Sequence, residues 1–248
     1  MKYEKIIEKI NNKQNKTVDK EKILEWYYLF YKNYNNRTFE NMIAYLKINH
    51  IMTELEKDKY IAVTKPIYKY NENDIDKRVY TLLNKEYSKI NFIVWNTEVI
   101  NEFTQHYVMK NYTIVEVEKE FIELFIILLK ENLPKKFTVV TQDILINNRD
   151  LFANDENVIV VKSLRAKSPL DREKNKERIS IEKMMVDLYI DKLYIYYQGK
   201  ELQRIYENIF EKYNVNMKRL INYAKLRTNI EIYKEYLNKL NIPKIYKS

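Results

Sequence analysis

The chain has 248 residues, 46% of them hydrophobic and 14% aromatic, which suffices for one large or two small cores and excludes a disordered chain. With no cysteine and only two histidines, His50 and His106, it cannot carry a disulfide framework, a thiolate zinc site or a cysteine nucleophile, and a histidine-rich metal site is disfavoured. One glycine, Gly199, rules out a P-loop and a dinucleotide fingerprint, while a net charge of +9 suits a polyanionic partner without requiring one.

The opening segment "MKYEKIIEKINNKQNK" is charged throughout and lacks the apolar core of a signal peptide. The longest apolar run, "FIELFIILL" at 121–129, is too short to span a bilayer. The expectation is a cytoplasmic protein with no membrane partner. Ile6, Ile7 and Ile10 share one face of a first helix over 3–10. A second helix, "DKEKILEWYYLFYKNY", capped by Thr17, carries Ile23, Trp26, Tyr27 and Phe30 toward a small core. In a third helix, 37–48, Phe39, Met42, Ile43 and Leu46 form the buried stripe. Arg37, Asn41, Ala44 and Ile48 then fall on the opposite face, flanked by Thr38 and Tyr45. "IMTEL" and "KYIAV" alternate like strands around "EKD", a tight hairpin connection.

Three helices followed by a β-hairpin is the order of a winged helix-turn-helix, whose third helix enters the major groove of double-stranded DNA. Arg37 and Asn41 have the chemistry to pair with guanine and adenine edges, with Thr38 and Tyr45 beside them. Lys47, Lys57 and Lys59 would sit near phosphates. Residues 1–70 hold 14 basic and 9 acidic side chains, so much of the positive excess lies here. The same face also fits the solvated surface of a protein-interaction module, and the two acids in the tip argue against deep insertion into the minor groove.

"KPIYKYNENDIDKR" (65–78) reads as a linker, after which the pattern changes. "NFIVW" (91–95), "YTIVEV" (112–117), "FTVVT" (137–141) and "NVIVV" (157–161) read as strands. Between the first three lie helical stretches, "TEVINEFTQHYV" capped by Thr97 and "EKEFIELFIILLKEN". The fold class is therefore α/β: a winged helix-turn-helix domain over 1–70, then an α/β domain over 71–248 with a mostly parallel sheet of about four strands and a helical C-terminal part. The C-terminal helices are "SIEKMMVDLYID" capped by Ser180, "KELQRIYENIFEKY" after Gly199, "NMKRLINYAKLR" capped by Asn216 and "TNIEIYKEYLNKL" capped by Thr228. The charged segment 162–180, with seven Lys/Arg residues, reads either as an exposed loop or as a mobile basic arm, Arg165, Lys167 and Arg172 being its candidate partner contacts.

Only "IVEVEK" at 114–119 has a catalytic flavour. Glu116 and Glu118 on one strand face, with Lys119 next, are the residue types of a metal-dependent nuclease, although paired acids on a strand are more often a solvated face. No upstream acid stands out to complete the set, so no catalytic residue, metal or cofactor is assigned.

The ribbon "INHIMTELEKDKYIAV" resembles the N-terminal domain of AbiEi-type transcriptional regulators, the antitoxins of type IV toxin–antitoxin and abortive-infection systems. "VWNTEVINEF" with His106, "YTIVEVEK", "LRAKSPL", "SIEKMMVDLYID", "YYQGKEL" and "YAKLR" extend the resemblance over nearly the whole chain. It implies a non-enzymatic autorepressor that binds repeats in its own promoter, a C-terminal domain that supplies antitoxicity, and a nucleotidyltransferase-like toxin as partner. A homo-oligomer on DNA is compatible with it. One departure is Glu56-Lys57-Asp58 in the hairpin tip, where related proteins usually have glycine; Asp58 can adopt the left-handed turn instead.

Overall fold

The computed structural model describes residues 3–13, 16–31, 35–49, 51–63, 65–173 and 175–243. His50, Lys174 and the end of the expected second helix at 32–34 lie outside them. Two compact units emerge, Met1–Tyr68 with Glu207–Ser248, and Lys69–Tyr206. The expected domains are 1–70 and 71–248; here the first break falls between Tyr68 and Lys69, and the last helices group with the first unit rather than with the sheet.

In the first unit, α1 (Glu4–Asn11) buries Ile6 and Ile10, whereas Ile7 is only partly covered. A two-residue strand, β1 (Val18–Asp19), precedes α2 (Lys20–Phe30). Thr17 therefore does not cap α2: Val18 and Asp19 pair with Tyr60 and Lys59, so the chain is still extended there and Asp19 is the N-cap. Next come α3 (Asn36–Ile48), β2 (Met52–Glu56) and β3 (Lys59–Ala62), forming an antiparallel sheet of order β1-β3-β2. Ile6, Ile10, Ile23, Trp26, Phe39, Met42, Leu46, Met52 and Tyr60 close one core. The period-two alternation of β3 turns Tyr60 and Ala62 into it and Ile61 away from it.

The second unit opens with α4 (Asp74–Tyr87), which corrects the linker expected at 65–78. Asn73 and Asp76 form a capping box, and Val79 and Leu83 are buried. The sheet comprises β4 (Phe92–Asn96), β5 (Tyr112–Val117), β6 (Phe137–Thr141) and β7 (Asn157–Ser163), in the order β4-β5-β7-β6. The β5/β7 and β6/β7 ladders are parallel, but β4/β5 is antiparallel, so the sheet is mixed. The expected helix after β4 is replaced by a 3-10 segment, Thr97–Glu102, too short to carry the chain across the sheet for a parallel return. Asn96 caps it, and the Thr97 hydroxyl instead accepts from Tyr112 N–H at 2.8 Å. On one face α4 and α5 (Ile122–Asn132) pack Val79, Leu83, Phe125 and Leu129 on Phe92, Val94, Val115 and Ile159.

After β6 comes a short helix, α6 (Gln142–Asn147). Residues 162–180 are not one long loop. They finish β7 and then form an antiparallel ribbon of β8 (Leu170–Glu173) and β9 (Lys176–Ile179), with β9 packed against the edge strand β4. α7 (Ile181–Ile190) starts at Ser180, whose hydroxyl accepts from Lys183 N–H as expected. The boundary between the units falls within α8 (Lys200–Lys212).

α9 (Met217–Arg227) is capped by Asn216, and α10 (Ile230–Lys239) by Asn229 rather than Thr228, whose own N–H closes α9 on Ala224. Within the first unit α9 packs against β2, Asn214 N–H donates to Pro66 at 2.9 Å, and Tyr68 meets Tyr213 edge-on. Among the described residues no helix is long and apolar enough to cross a membrane.

Candidate functional site

α3 begins with a reciprocal cap. Asn35 accepts from Thr38 N–H at 2.8 Å, and the Thr38 hydroxyl accepts from Asn35 N–H at 3.3 Å. That hydroxyl also accepts from Tyr27 at 3.3 Å, so Thr38 secures the helix start. The buried stripe is the one expected, Phe39, Met42, Ile43 and Leu46, and Arg37, Asn41, Ala44 and Ile48 are exposed on the other side. The structure divides the seven residues singled out for DNA. Arg37, Asn41, Lys47, Lys57 and Lys59 are exposed, Lys47 and Lys59 while engaged in ion pairs. Tyr45 packs edge-on against Tyr3, Lys47 donates to Glu54 at 2.8 Å, and Lys59 donates to Glu56 at 3.1 Å.

The hairpin tip turns at Lys57-Asp58, with Asp58 at φ 60°, the left-handed conformation anticipated for a glycine-free tip. Glu54 lies just before a bulge in β2, its side chain 9% exposed. Burial pushes its carboxyl pKa up, but bonds from Lys47 and from Lys218 of α9 outweigh that and hold it below the usual carboxylate range.

In the second unit the acidic pair at 116 and 118 does not form. β5 ends at Val117, Glu116 is buried, and Glu118 and Lys119 are exposed beyond the strand end. Both oxygens of Glu116 accept from Lys183 of α7, at 2.9 and 2.8 Å, and one also accepts from the Trp95 indole at 3.0 Å. Lys183 donates to Asp187 as well, so its three donors face three carboxylate oxygens. A second buried pair, Lys162 with Asp191 at 2.5 Å, lies on the same sheet face, since Glu116 and Lys162 are register partners. Gln142 of α6 donates to Asp191 at 2.9 Å. Two lysines face three carboxylates here, and their ion pairs clamp α7 to the sheet; all five side chains are buried and do not converge on an open site. No group of three or more His, Asp or Glu side chains among the described residues is arranged to hold a metal ion.

Sequence reasoning missed this cluster. Its signal was available in "SIEKMMVDLYID": Lys183, Asp187 and Asp191 recur every fourth residue along a helix that, Glu182 apart, is otherwise apolar.

The basic segment also separates. Arg165, Lys167 and Arg172 are exposed, as a partner-binding role needs. Lys176 and Arg178 are instead ion-paired with Glu72, and Lys176 lies 3.5 Å from the centroid of the Tyr80 ring. Nearby, Tyr70 donates to Asp76 and accepts from Asn96 N–H at 2.8 Å. Burial pushes the Asp76 carboxyl up to about 6, against the lowering bonds from Tyr70 and Asn73.

No curated protein and no solved structure matches the chain. A family match covers residues 38–243, from the first turn of α3 to beyond α10, and leaves α1, β1 and α2 outside it. The chain thus belongs to a family described as a family of unknown function, DUF6577.

Proposed function

We propose that the protein is a DNA-binding transcriptional repressor whose first unit carries a winged helix-turn-helix, with α3 as the helix that enters the major groove. The observation that carries this reading is the exposed Arg37–Asn41 face of α3, followed by a hairpin in a sheet of order β1-β3-β2. The two residues are one turn apart, a spacing that lets both reach base edges in one groove. The net charge of +9 supports attraction to the phosphate backbone.

Binding to the DNA upstream of the protein's own gene, against a scrambled duplex across a salt series, tests it. Preference for the native duplex and a steep loss of affinity with salt are expected. Equal, weak binding to both would reduce α3 to a scaffold. Arg37→Ala and Asn41→Ala should each cost about 1–3 kcal/mol on the native site and relax base preference. A loss of equal size on every sequence would remove the base-reading role.

The antitoxin role rests on the AbiEi resemblance, which names a nucleotidyltransferase-like toxin as the partner. In this reading Arg165, Lys167 and Arg172 contact the toxin. Replacing all three with alanine should weaken neutralisation when the protein is co-expressed with the product of the adjacent gene. Unchanged neutralisation would end that assignment.

A further inference from the structure

α9 is built unlike the other C-terminal helices. Its sequence "MKRLINYAKLR" has four basic residues and no acidic one, and Lys218, Asn222 and Lys225 are exposed at i, i+4 and i+7 on one face. Read alone, that face is merely solvated. The packing of α9 against β2 changes its meaning, because Lys218 donates to the same oxygen of Glu54 as Lys47 of α3, at 3.0 and 2.8 Å. Glu54 is 9% exposed beneath them, while the two lysine side chains are 51% and 40% exposed. One buried carboxylate therefore fixes two ammonium groups, which keep a net positive charge and further donors turned to water.

We propose that Lys47 and Lys218 form a two-lysine clip for a backbone phosphate of duplex DNA, which makes the C-terminal helix α9 part of the DNA interface. The inference rests on the DNA-binding reading of α3. Charge complementarity selects the occupant: paired ammonium groups held close to one point match the oxygens of a single phosphate, and they read no sequence. Glu54 acts as a positioning residue, spending one charge to hold two side chains that would otherwise wander.

The test uses the full chain, the native upstream duplex, the scrambled duplex and a salt series. Removing one phosphate contact lowers the slope of log affinity against log salt by about 0.9, which is roughly fivefold in affinity at 0.15 M salt. Lys218→Ala should show that loss on both duplexes alike and leave the preference between them intact. Lys218→Arg, which keeps the charge, should restore slope and affinity. Wild-type binding with an unchanged slope in Lys218→Ala overturns the clip but spares the role of α3. Loss on the native duplex alone also overturns it, since that is base reading. Failure of Lys218→Arg to rescue would mean that α9 acts only through packing. If the wild type binds neither duplex, the DNA-binding reading falls and the clip with it.

Discussion

Asp76 shows how much one side chain can depend on what surrounds it. In sequence it is an ordinary acid near a helix start. In the fold it is 1% exposed, accepts from Asn73 N–H and Tyr70, and leaves Oδ1 without a hydrogen-bond partner. Burial favours the neutral acid and raises the pKa from 3.8 to about 6, a shift worth roughly 3 kcal/mol. The folded state then binds a proton that the unfolded chain has already released. This contribution is fully present below about pH 4 and lost as pH rises through about 6. Asp76→Asn removes the ionisation, so its stability relative to wild type should climb by up to about 3 kcal/mol between pH 4 and pH 7 in urea unfolding. A difference that stays flat across that window would contradict the account. Glu54 works in the opposite direction: held low by its lysines, it contributes stability above the ordinary carboxylate pKa that disappears on acidification.

Between elements, the decisive contacts are ionic as well as apolar. α5 is held to the sheet by Phe125 and Leu129, as any amphipathic helix would be. α7 is held partly by Lys183, lodged between Glu116 of β5 and Asp187 of its own next turn. Removing the lysine takes the counter-ion from two buried carboxylates, so Lys183→Met should cost about 3–5 kcal/mol in unfolding free energy. Neutralising the acids as well, with Glu116→Gln and Asp187→Leu, should recover most of that loss, because no carboxylate is then left buried without its counter-ion. If the triple variant is as unstable as Lys183→Met alone, the loss comes from packing rather than charge. Strand alternation puts Glu116 and Glu118 on one face only if β5 continues past Val117, and it ends there.

At the scale of the molecule, the chain returns to where it began. Glu207–Ser248 joins Met1–Tyr68, and β2 gains contacts from α9 that no N-terminal residue supplies. Truncation after Lys212 should therefore destabilise the first unit. Trp26 and Trp95 are the only tryptophans and lie in different units, so a Trp95→Phe background reports the first unit through Trp26 alone. The truncated chain should show a lower fluorescence melting temperature, and an unchanged one would mean that the N-terminal core is sufficient by itself.

By itself the sequence determined what is periodic and local: the buried stripe of α3, Ile6 and Ile10 of α1, the existence of α5, the four sheet strands, the caps at Ser180 and Asn216, and the left-handed turn at Asp58. These follow from alternation and from side chains that bond within a few residues, and both are written in neighbouring positions. Only the tertiary structure decided that β4 runs antiparallel to β5, that Lys183 claims Glu116, that the basic segment 162–180 folds into a ribbon with two of its cations on Glu72, and that Lys218 meets Lys47 across Glu54. Apart from the pairing of β8 with β9 itself, each of these joins residues far apart in the chain. Their partners are chosen by which apolar faces must be buried together, and a charged side chain's role is set by whatever that burial brings beside it.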